Sequence, residues 1–289
     1  MVKMCVNEHL TQCVEIAFAQ NNLPETNCAF CPSSRESICR DFEFIINNPD
    51  CLMVGYFVDD QLVAIWGCFL NLDNKWVDCV GPFFKKGWNH DYANSLFSFS
   101  KATLCNAVRF NFYFNAKNKN YHTFAKKLSA DRQDNEYILL LRKADYTPQE
   151  INHLVVAYSS EYEAALVALH DSTFPNVYVT GEDIVSTICR TRDVFCVLDE
   201  SGAFTGYGVL KCDDDKAHFT AEIFAVKKEA RGKGYGWALL NMVVGSAFNK
   251  HNCEVVDLVV DKLNANARDL YYSCGFRLSV ENKAFSLSV

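Results

Sequence analysis

The 289-residue chain lacks the long apolar segments of membrane and secreted proteins. No run approaches the length of about 18 apolar residues that a membrane-spanning helix needs, and residues 1–8 contain no signal-peptide core. These absences predict a cytoplasmic protein with no membrane partner. The 14 cysteines do not argue against this. Many lie in apolar patterns that are typical of reduced, buried thiols: Cys68, Cys79, Cys105 and Cys196.

An excess of basic residues is also missing. The formal net charge is −7, with 15 Lys and Arg against 16 Asp and Glu up to residue 145, and 13 against 19 after it. This balance argues against a nucleic-acid partner. The acidic second half weakly favours a cationic acceptor such as an amine, although ordinary acidic solubility explains the same charge.

The cysteine spacing does not indicate a metal site. Cys28 and Cys31 form a single C-x-x-C pair, and Cys39 follows eight residues later. Zinc sites usually need a second pair at matching spacing, and none follows here. The sequence therefore predicts no bound metal.

A glycine-rich turn is the most informative stretch of the chain. It joins an apolar predicted strand, residues 221–226, to a predicted helix that includes residues 237–244. Unpaired N–H groups at a helix N-terminus favour phosphate, and glycines allow a bulky anion to approach the backbone. The turn has neither the dinucleotide pattern G-x-G-x-x-G nor the loop G-x-x-x-x-G-K-[ST]. It predicts a pyrophosphate site of another kind, formed by Arg231, Gly232, Lys233, Gly234, Tyr235 and Gly236.

The R-x-x-G-x-G pattern of this turn resembles the acyl-CoA-binding motif of the GNAT N-acetyltransferase superfamily. A second motif of that family, N-x-x-A-x-x-L-Y-x-x-x-G-F, is matched by Asn264, Ala267, Leu270, Tyr271, Gly275 and Phe276. The specific resemblance covers residues 194–276. It implies acetyl-CoA as cofactor and transfer of its acetyl group to a primary amine, by direct attack in a ternary complex. The acceptor would be a small-molecule or peptide amine.

The first half of the chain repeats the order of elements in the second half. A shift of 146 residues lays Asn118 over Asn264 and three phenylalanines over aliphatic strand residues: Phe110, Phe112 and Phe114 over Val256, Leu258 and Val260. We therefore predict two tandem α/β domains, residues 1–145 and 146–289. Each would be a mixed, mostly antiparallel sheet flanked by helices.

The cofactor motif is not repeated in the first half. At the same shift, the first half has other residue types at the key positions: Trp88 and His90 for Gly234 and Gly236, Trp76 for Glu222, and Ala125 for Tyr271. Side chains in place of the glycines would occupy the space of a phosphate. The first domain is therefore predicted to keep the fold without the cofactor site.

Glu222 is the candidate general base. It is the only carboxylate in an apolar predicted strand, residues 219–226. The two-residue period of a strand would place it on the same face as Phe224 and Val226. Partial burial would raise its pKa toward neutrality, which suits proton removal from an ammonium group. The alternative is an outward-facing glutamate at a sheet edge.

Other roles follow from the resemblance. Tyr271 would donate a proton to the departing thiolate, since a phenol has a pKa near 10, unless it only packs on the core. Asn264 would bind the cofactor arm or cap the following helix. Backbone groups of Phe224, Ala225 and Val226 would bind the pantetheine arm, in a slot where the sheet splays, and stabilise the developing oxyanion.

The acceptor side and the assembly are less defined. Four residues in the connection after the first helix of the second domain are candidates for acceptor specificity: His170, Asp171, Phe174 and Tyr178. The chain is expected to act as a monomer or homodimer. The alternatives to an enzyme are a non-catalytic acyl-CoA-binding module and a protein-interaction module.

Overall fold

The computed structural model describes residues 1–72, 75–175, 179–212 and 217–289. These residues form two compact units. Unit 1 contains Met1–Glu136 and Val280–Val289, and unit 2 contains Tyr137–Ser279. The predicted boundary after residue 145 therefore differs in two ways. The strand that starts near residue 137 belongs to unit 2, and the last ten residues belong to unit 1 because they pair with one of its strands.

In its described residues, unit 1 is a mixed sheet with four α-helices. Its strands are β1 (Val2–Met4), β2 (Leu52–Val58), β3 (Gln61–Asn71), β4 (Trp76–Phe84), β5 (Arg109–Asn115) and β6 (Asp131–Arg132). Its helices are α1 (Leu10–Asn21), α2 (Arg35–Asn47), α3 (His90–Thr103) and α4 (Lys119–Lys127). Neighbouring strands from β1 to β4 are antiparallel, and β4 and β5 are parallel. The C-terminal strand pairs antiparallel with β5 and places Asn282 opposite Asn115.

Unit 2 repeats this architecture. Its strands are β7 (Glu136–Arg142), β8 (Leu154–Ala157), β9 (Arg192–Leu198), β10 (Phe204–Cys212), β11 (His218–Val226), β12 (Val255–Asp261) and the first residues of β13 (Arg277–Ser288). Its helices are α5 (Glu163–Thr173), α6 (Gly181–Ser186), α7 (Tyr235–Gly245) and α8 (Ala265–Ser273). Strands β8 to β11 are antiparallel, and β11 and β12 are parallel. Among the described residues, no helix is long and apolar enough to cross a membrane.

The sheet of unit 2 buries apolar side chains on both faces. On one, which we call the α7 face, strand residues such as Phe219 pack with Val243 of α7. On the other, the α5 face, strand residues such as Ile223 pack with Leu166 of α5 and Ile184 of α6. Each such side chain contributes about 1.5–3 kcal/mol by leaving water. The two faces fix where each side chain of β11 points.

The predicted repeat is present in the fold, but its alignment is not uniform. Strands β5 and β12 and helices α4 and α8 correspond at the predicted shift of 146 residues. The parallel strand pair, however, begins with Trp76 opposite Arg109 in unit 1 and with His218 opposite Val255 in unit 2. Trp76 therefore corresponds to His218. The prediction that it stands in the place of Glu222 is wrong, because the strand before the turn is offset by four residues.

Candidate active site

Strand β11 carries a β-bulge at Glu222. Strand β10 pairs Val209 with Ile223 and the next residue, Leu210, with Ala221, so Glu222 is an extra residue in the ladder. An extra residue interrupts the alternation of side chains along a strand. Accordingly, Ala221 packs on the α7 face and Ile223 on the α5 face.

The bulge places Glu222 on the α5 face, where Arg192 of β9 lies in line with Val194. Phe224 packs on the α7 face. The prediction that Glu222 shares a face with Phe224 and Val226 is therefore wrong, since it assumed an unbroken two-residue period. Strand β11 presents its carboxylate on one side of the sheet and the phenyl ring on the other.

Glu222 is bound by an arginine. Arg192 donates from Nε to Oε2 at 2.6 Å and from Nη2 to Oε1 at 2.9 Å. Its third nitrogen, Nη1, donates to the hydroxyl of Thr187 at 2.8 Å, at the end of α6. The two charged side chains are only 9% and 3% exposed. The pair stabilises the ionised carboxylate and orients it on the α5 face.

Strands β11 and β12 separate beyond this point. They pair only from His218 to Thr220 on β11 and from Val255 to Asp257 on β12. β11 continues to Val226 and β12 to Asp261 without further pairing between them in the described structure. The edge of β11 that follows Thr220 is therefore open toward β12, as the predicted slot requires.

The glycine-rich turn leads from β11 into α7. Gly232 and Gly234 have φ values of +77° and +87°, which favour glycine, and α7 begins directly after Gly234. Within the part of the chain that the structure describes, no side chain caps α7. Arg231 and Lys233 are exposed on the turn, and Arg231 donates from Nε to the carbonyl of Val226 at 3.1 Å. Unpaired amide donors, the helix dipole and two cations meet here.

The same helix end is closed in unit 1. Asn89 is the N-cap of α3, as Gly234 is of α7, so the prediction that Trp88 stands in the place of Gly234 is wrong by one residue. The side-chain oxygen of Asn89 accepts from the backbone N–H groups of Asp91 and Tyr92, both at 3.0 Å. The first turn of α3 also carries the negative charge of Asp91. A phosphate would therefore compete with an asparagine and meet a carboxylate at this position.

The slot of unit 1 is filled by its own chain. Strands β4 and β5 also pair over only three residues and then separate. We call residues 27–31, which lie in this gap, the plug segment. Ala29 donates from its N–H to the carbonyl of Tyr113 on β5 at 2.8 Å, and Cys28 donates from Sγ to the carbonyl of Cys79 on β4 at 3.4 Å. Unit 1 has the same sheet geometry as unit 2, but its slot is occupied.

The plug segment also contacts the asparagine that precedes α4. Asn118 caps α4 through Oδ1 and donates from Nδ2 to the carbonyl of Asn27 at 3.1 Å. Asn264 caps α8 in the same way, accepting from the N–H of Ala267 at 3.1 Å. The two roles predicted for Asn264, capping α8 and binding the cofactor arm, are thus compatible with each other. Capping uses Oδ1 and leaves Nδ2 available for a carbonyl in the slot.

Tyr271 lies on α8, half-buried against the core. Burial, and to a lesser degree the nearby Cys274, raises the pKa of Tyr271 to about 12. Its hydroxyl bonds to no other described residue. It is therefore a neutral phenol with a free O–H group, a weaker acid than the unperturbed phenol that the sequence suggested.

The four predicted acceptor residues have different positions. His170 is fully buried, with Nε2 2.8 Å from the carbonyl of Val179 and Nδ1 2.5 Å from the hydroxyl of Tyr207. Because a carbonyl only accepts, Nε2 donates to Val179, and Nδ1 is hydrogen-bonded to Tyr207. His170 therefore joins α5 to β10 and has no free ring nitrogen for an acceptor.

The other three predicted acceptor residues differ in what the structure shows of them. Asp171 accepts from the N–H of Gly181 at 3.0 Å and so fixes the start of α6. Phe174 ends α5 and packs on the α5 face, the side on which Glu222 lies. Tyr178 lies outside the described residues. Of the predicted acceptor residues that the structure describes, Phe174 packs on the face that carries Glu222.

Two residues near the site were not predicted. Arg192 could have been found from the need of a buried strand glutamate for a cationic partner on a neighbouring strand. His153 has Nε2 2.9 Å from the position of a Cβ atom at Gly234, and its ring lies 4.6 Å from that of Tyr235. No sequence pattern indicated that this histidine of the inter-repeat connection reaches the turn.

Comparison with known proteins agrees with this geometry. Residues 163–276 match the acetyltransferase (GNAT) family. The uncharacterized N-acetyltransferase MJ1530 of Methanocaldococcus jannaschii is 32% identical over 124 residues, which cover 43% of this chain and 78% of that protein. The chain belongs to the GNAT family. This membership assigns it to the acetyltransferases and its chemistry to acyl transfer.

Solved structures extend the similarity to both halves of this GNAT chain. A tandem GNAT protein from the clavulanic acid biosynthesis pathway has a TM-score of 0.73 at 13% identity, covering 100% of this chain and 98% of that one. A GCN5-related N-acetyltransferase from Sphaerobacter thermophilus has a TM-score of 0.79 at 14% identity, with coverages of 100% and 95%. At these identities the similarity shows the fold. The predicted tandem GNAT fold is thus confirmed.

Proposed function

We propose that unit 2 is an acetyl-CoA-dependent N-acetyltransferase that acetylates a primary amine by direct attack within a ternary complex. The observation that carries this proposal is the contrast between the two units. In the described residues, unit 2 has an open strand edge and a helix end with no side-chain cap after two left-handed glycines, whereas unit 1 has an asparagine cap and a filled slot.

The residues of unit 2 fit acetyl-CoA. The turn residues 231–236 would hold the pyrophosphate, and the open edge of β11 around Phe224, Ala225 and Val226 would bind the pantetheine arm. Asn264 would add a hydrogen bond from Nδ2. When bound, acetyl-CoA supplies the acetyl group as an activated thioester. Backbone N–H groups of the same edge would stabilise the negative charge that develops on the acyl oxygen.

Two side chains would carry out the proton transfers, one as general base and one as general acid. Glu222 attracts the ammonium form of the acceptor on the α5 face and accepts its proton, directly or through water. Arg192 keeps this carboxylate ionised and fixed, at the cost of some base strength. Tyr271 donates a hydrogen bond, and then its proton, to the departing sulfur.

The acceptor is proposed to be a small-molecule or peptide amine, and the chain to act as a monomer or homodimer. All 14 cysteines are free, which agrees with a reducing compartment such as the cytoplasm. The competing functions are a non-catalytic acyl-CoA-binding module and a protein-interaction module. Acetylation of any amine would exclude the first, and acetyl-CoA binding counts against the second.

Calorimetric titration of acetyl-CoA tests the proposal. Wild type should bind one equivalent with micromolar affinity, and Gly234→Trp should abolish binding. The control is Gly87→Trp in the corresponding turn of unit 1, where a Cβ atom meets no described atom within 4 Å. This variant should bind like wild type. Absence of binding to wild type would overturn the proposal. If wild type binds acetyl-CoA, chromatographic detection of acetylated amines will show whether it also catalyses the transfer.

A further inference from the structure

Unit 1 contains a cavity of about 290 Å³, close to the size range of small-molecule sites. It opens beside the end of the β4–β5 pairing and is lined by Phe30, Phe69, Leu70, Asn71, Asp78 and Val80. Most of this lining is apolar, and it includes one carboxylate. The cavity does not belong to the candidate active site, which lies in unit 2.

The carboxylate of Asp78 has no cationic partner in the part of the chain that the structure describes. It accepts a hydrogen bond from Nδ2 of Asn111 at 2.9 Å, and no lysine, arginine or histidine among the described residues pairs with it. Burial raises the pKa of Asp78, and the bond from Asn111 offsets this only in part. A desolvated carboxylate without a counter-charge favours a positively charged ligand.

Two aromatic rings stand beside this carboxylate. Phe69 lies opposite Asp78 in the β3–β4 ladder, and its ring stacks on that of Phe44 of α2 at 5.4 Å. Phe30 belongs to the plug segment, and its ring lies 5.4 Å from that of Tyr113. Both rings are therefore held by other aromatic side chains. Phenyl faces attract organic cations and also pack against an apolar body.

The plug segment is what gives the cavity its second aromatic wall. Its backbone is fixed by Asn21, which donates from Nδ2 to the carbonyl of Cys31 at 2.8 Å and accepts from the N–H of Cys28 at 2.8 Å. The segment closes the slot between β4 and β5 and at the same time positions Phe30. Loss of the cofactor slot and formation of the cavity thus have a common structural cause.

We propose that this cavity binds a small organic ammonium ion with an apolar body, with Asp78 as its counter-charge and Phe30 and Phe69 as its walls. A metal ion fits less well, because the described residues contain no group of three or more His, Cys, Asp or Glu side chains that could hold one. The site is independent of the acetyltransferase activity proposed for unit 2.

Binding of 2-phenylethylamine, measured by ligand-observed NMR and calorimetry at pH 8, tests the proposal. Wild type should bind the ammonium ion at least ten-fold more tightly than the neutral analogue 2-phenylethanol. Asp78→Asn should weaken amine binding at least ten-fold, and Phe30→Leu several-fold. The matched control is Asp59→Asn, which removes the same charge from an exposed turn of unit 1 and should have no effect.

Three results would overturn the proposal. These are equal binding by Asp78→Asn and wild type, equal binding of the alcohol and the amine, and no binding to wild type. Circular dichroism of each variant checks that unit 1 remains folded. Gly234→Trp should bind the amine like wild type even though it no longer binds acetyl-CoA. Failure of the cavity proposal can therefore be distinguished from failure of the function proposed for unit 2.

Discussion

Arg192 and Glu222 form a buried ion pair between the two strands that flank β10. The guanidinium makes two parallel hydrogen bonds to the carboxylate, at 2.6 Å and 2.9 Å. With exposures of 9% and 3%, the two charged side chains are shielded from water. A buried pair of this kind adds little net stability compared with apolar residues, but removal of one partner leaves an uncompensated charge.

Arg192→Met should therefore lower the free energy of unfolding by about 3–5 kcal/mol. The double variant Arg192→Met/Glu222→Met should recover most of this loss, since no charge is left unpaired. Urea denaturation at pH 7 measures both. The control is Arg35→Ala, which removes an exposed ion pair with Glu15 and should cost less than about 1 kcal/mol. Equal effects of Arg192→Met and Arg35→Ala would show that the buried pair is not isolated from water.

A methyl group on the glycine turn should reduce cofactor binding. Gly234→Ala puts a Cβ atom at φ +87° and 2.9 Å from Nε2 of His153. The left-handed backbone alone should cost about 1–2 kcal/mol of stability, and the movement of the turn should weaken binding of CoA about ten-fold.

Gly202 offers the matched control for this variant. It has φ +82°, and a Cβ atom there meets no described atom within 4 Å. Gly202→Ala should lose a similar stability without any loss of affinity for CoA, as calorimetry and thermal denaturation would show. If both variants bound CoA equally well, the geometry of Gly234 would not matter for the cofactor.

The features that were predictable from the sequence are those that depend on neighbouring residues. The glycine turn, the start of α7 close to it and the asparagine before α8 are determined by local backbone geometry and hydrogen bonds. The repeat was visible because β5 and β12 keep the same alternation of apolar residues. Both motifs of the family lie in such local segments.

The features that were missed depend on pairing between distant segments. The face of Glu222 is set by the register of β10 against β11, which no property of β11 itself reveals. Arg192 and Asp193, the first residues of β9, are charged and do not by themselves indicate a strand, and Arg192 pairs with Glu222 of another strand. Likewise, the sequence of the plug segment predicts a loop, and its insertion between β4 and β5 is a tertiary contact.

Tyr271→Phe should reduce kcat by about 10²- to 10⁴-fold and leave KM for acetyl-CoA nearly unchanged, if the hydroxyl acts as general acid. A general acid must be protonated, and the pKa of about 12 keeps Tyr271 protonated through the usual assay range. The pH profile of wild type should therefore show no loss of activity from this group below about pH 10.

Tyr272→Phe is the control for this prediction. Tyr272 is the adjacent residue on α8 and is also half-buried, so the same hydroxyl is removed from a position outside the family motif. It should keep nearly full kcat. A similar loss in both variants would point to a general effect on α8, and full activity of Tyr271→Phe would assign the proton to another group.

Asn118 and Asn264 allow the two slots to be compared by the same substitution. Each caps a helix, so alanine at either position should cost about 0.5–2 kcal/mol of stability. Asn118→Ala should cost about 0.5–1.5 kcal/mol more, because it also removes the hydrogen bond that Nδ2 donates to the part-buried carbonyl of Asn27. Asn264→Ala should instead weaken binding of acetyl-CoA, whose arm would take the position that the plug segment has in unit 1. Urea denaturation measures the stability of both variants, and calorimetry measures their affinity for acetyl-CoA. Equal stability losses with an unchanged affinity for acetyl-CoA would contradict the correspondence between plug segment and cofactor arm.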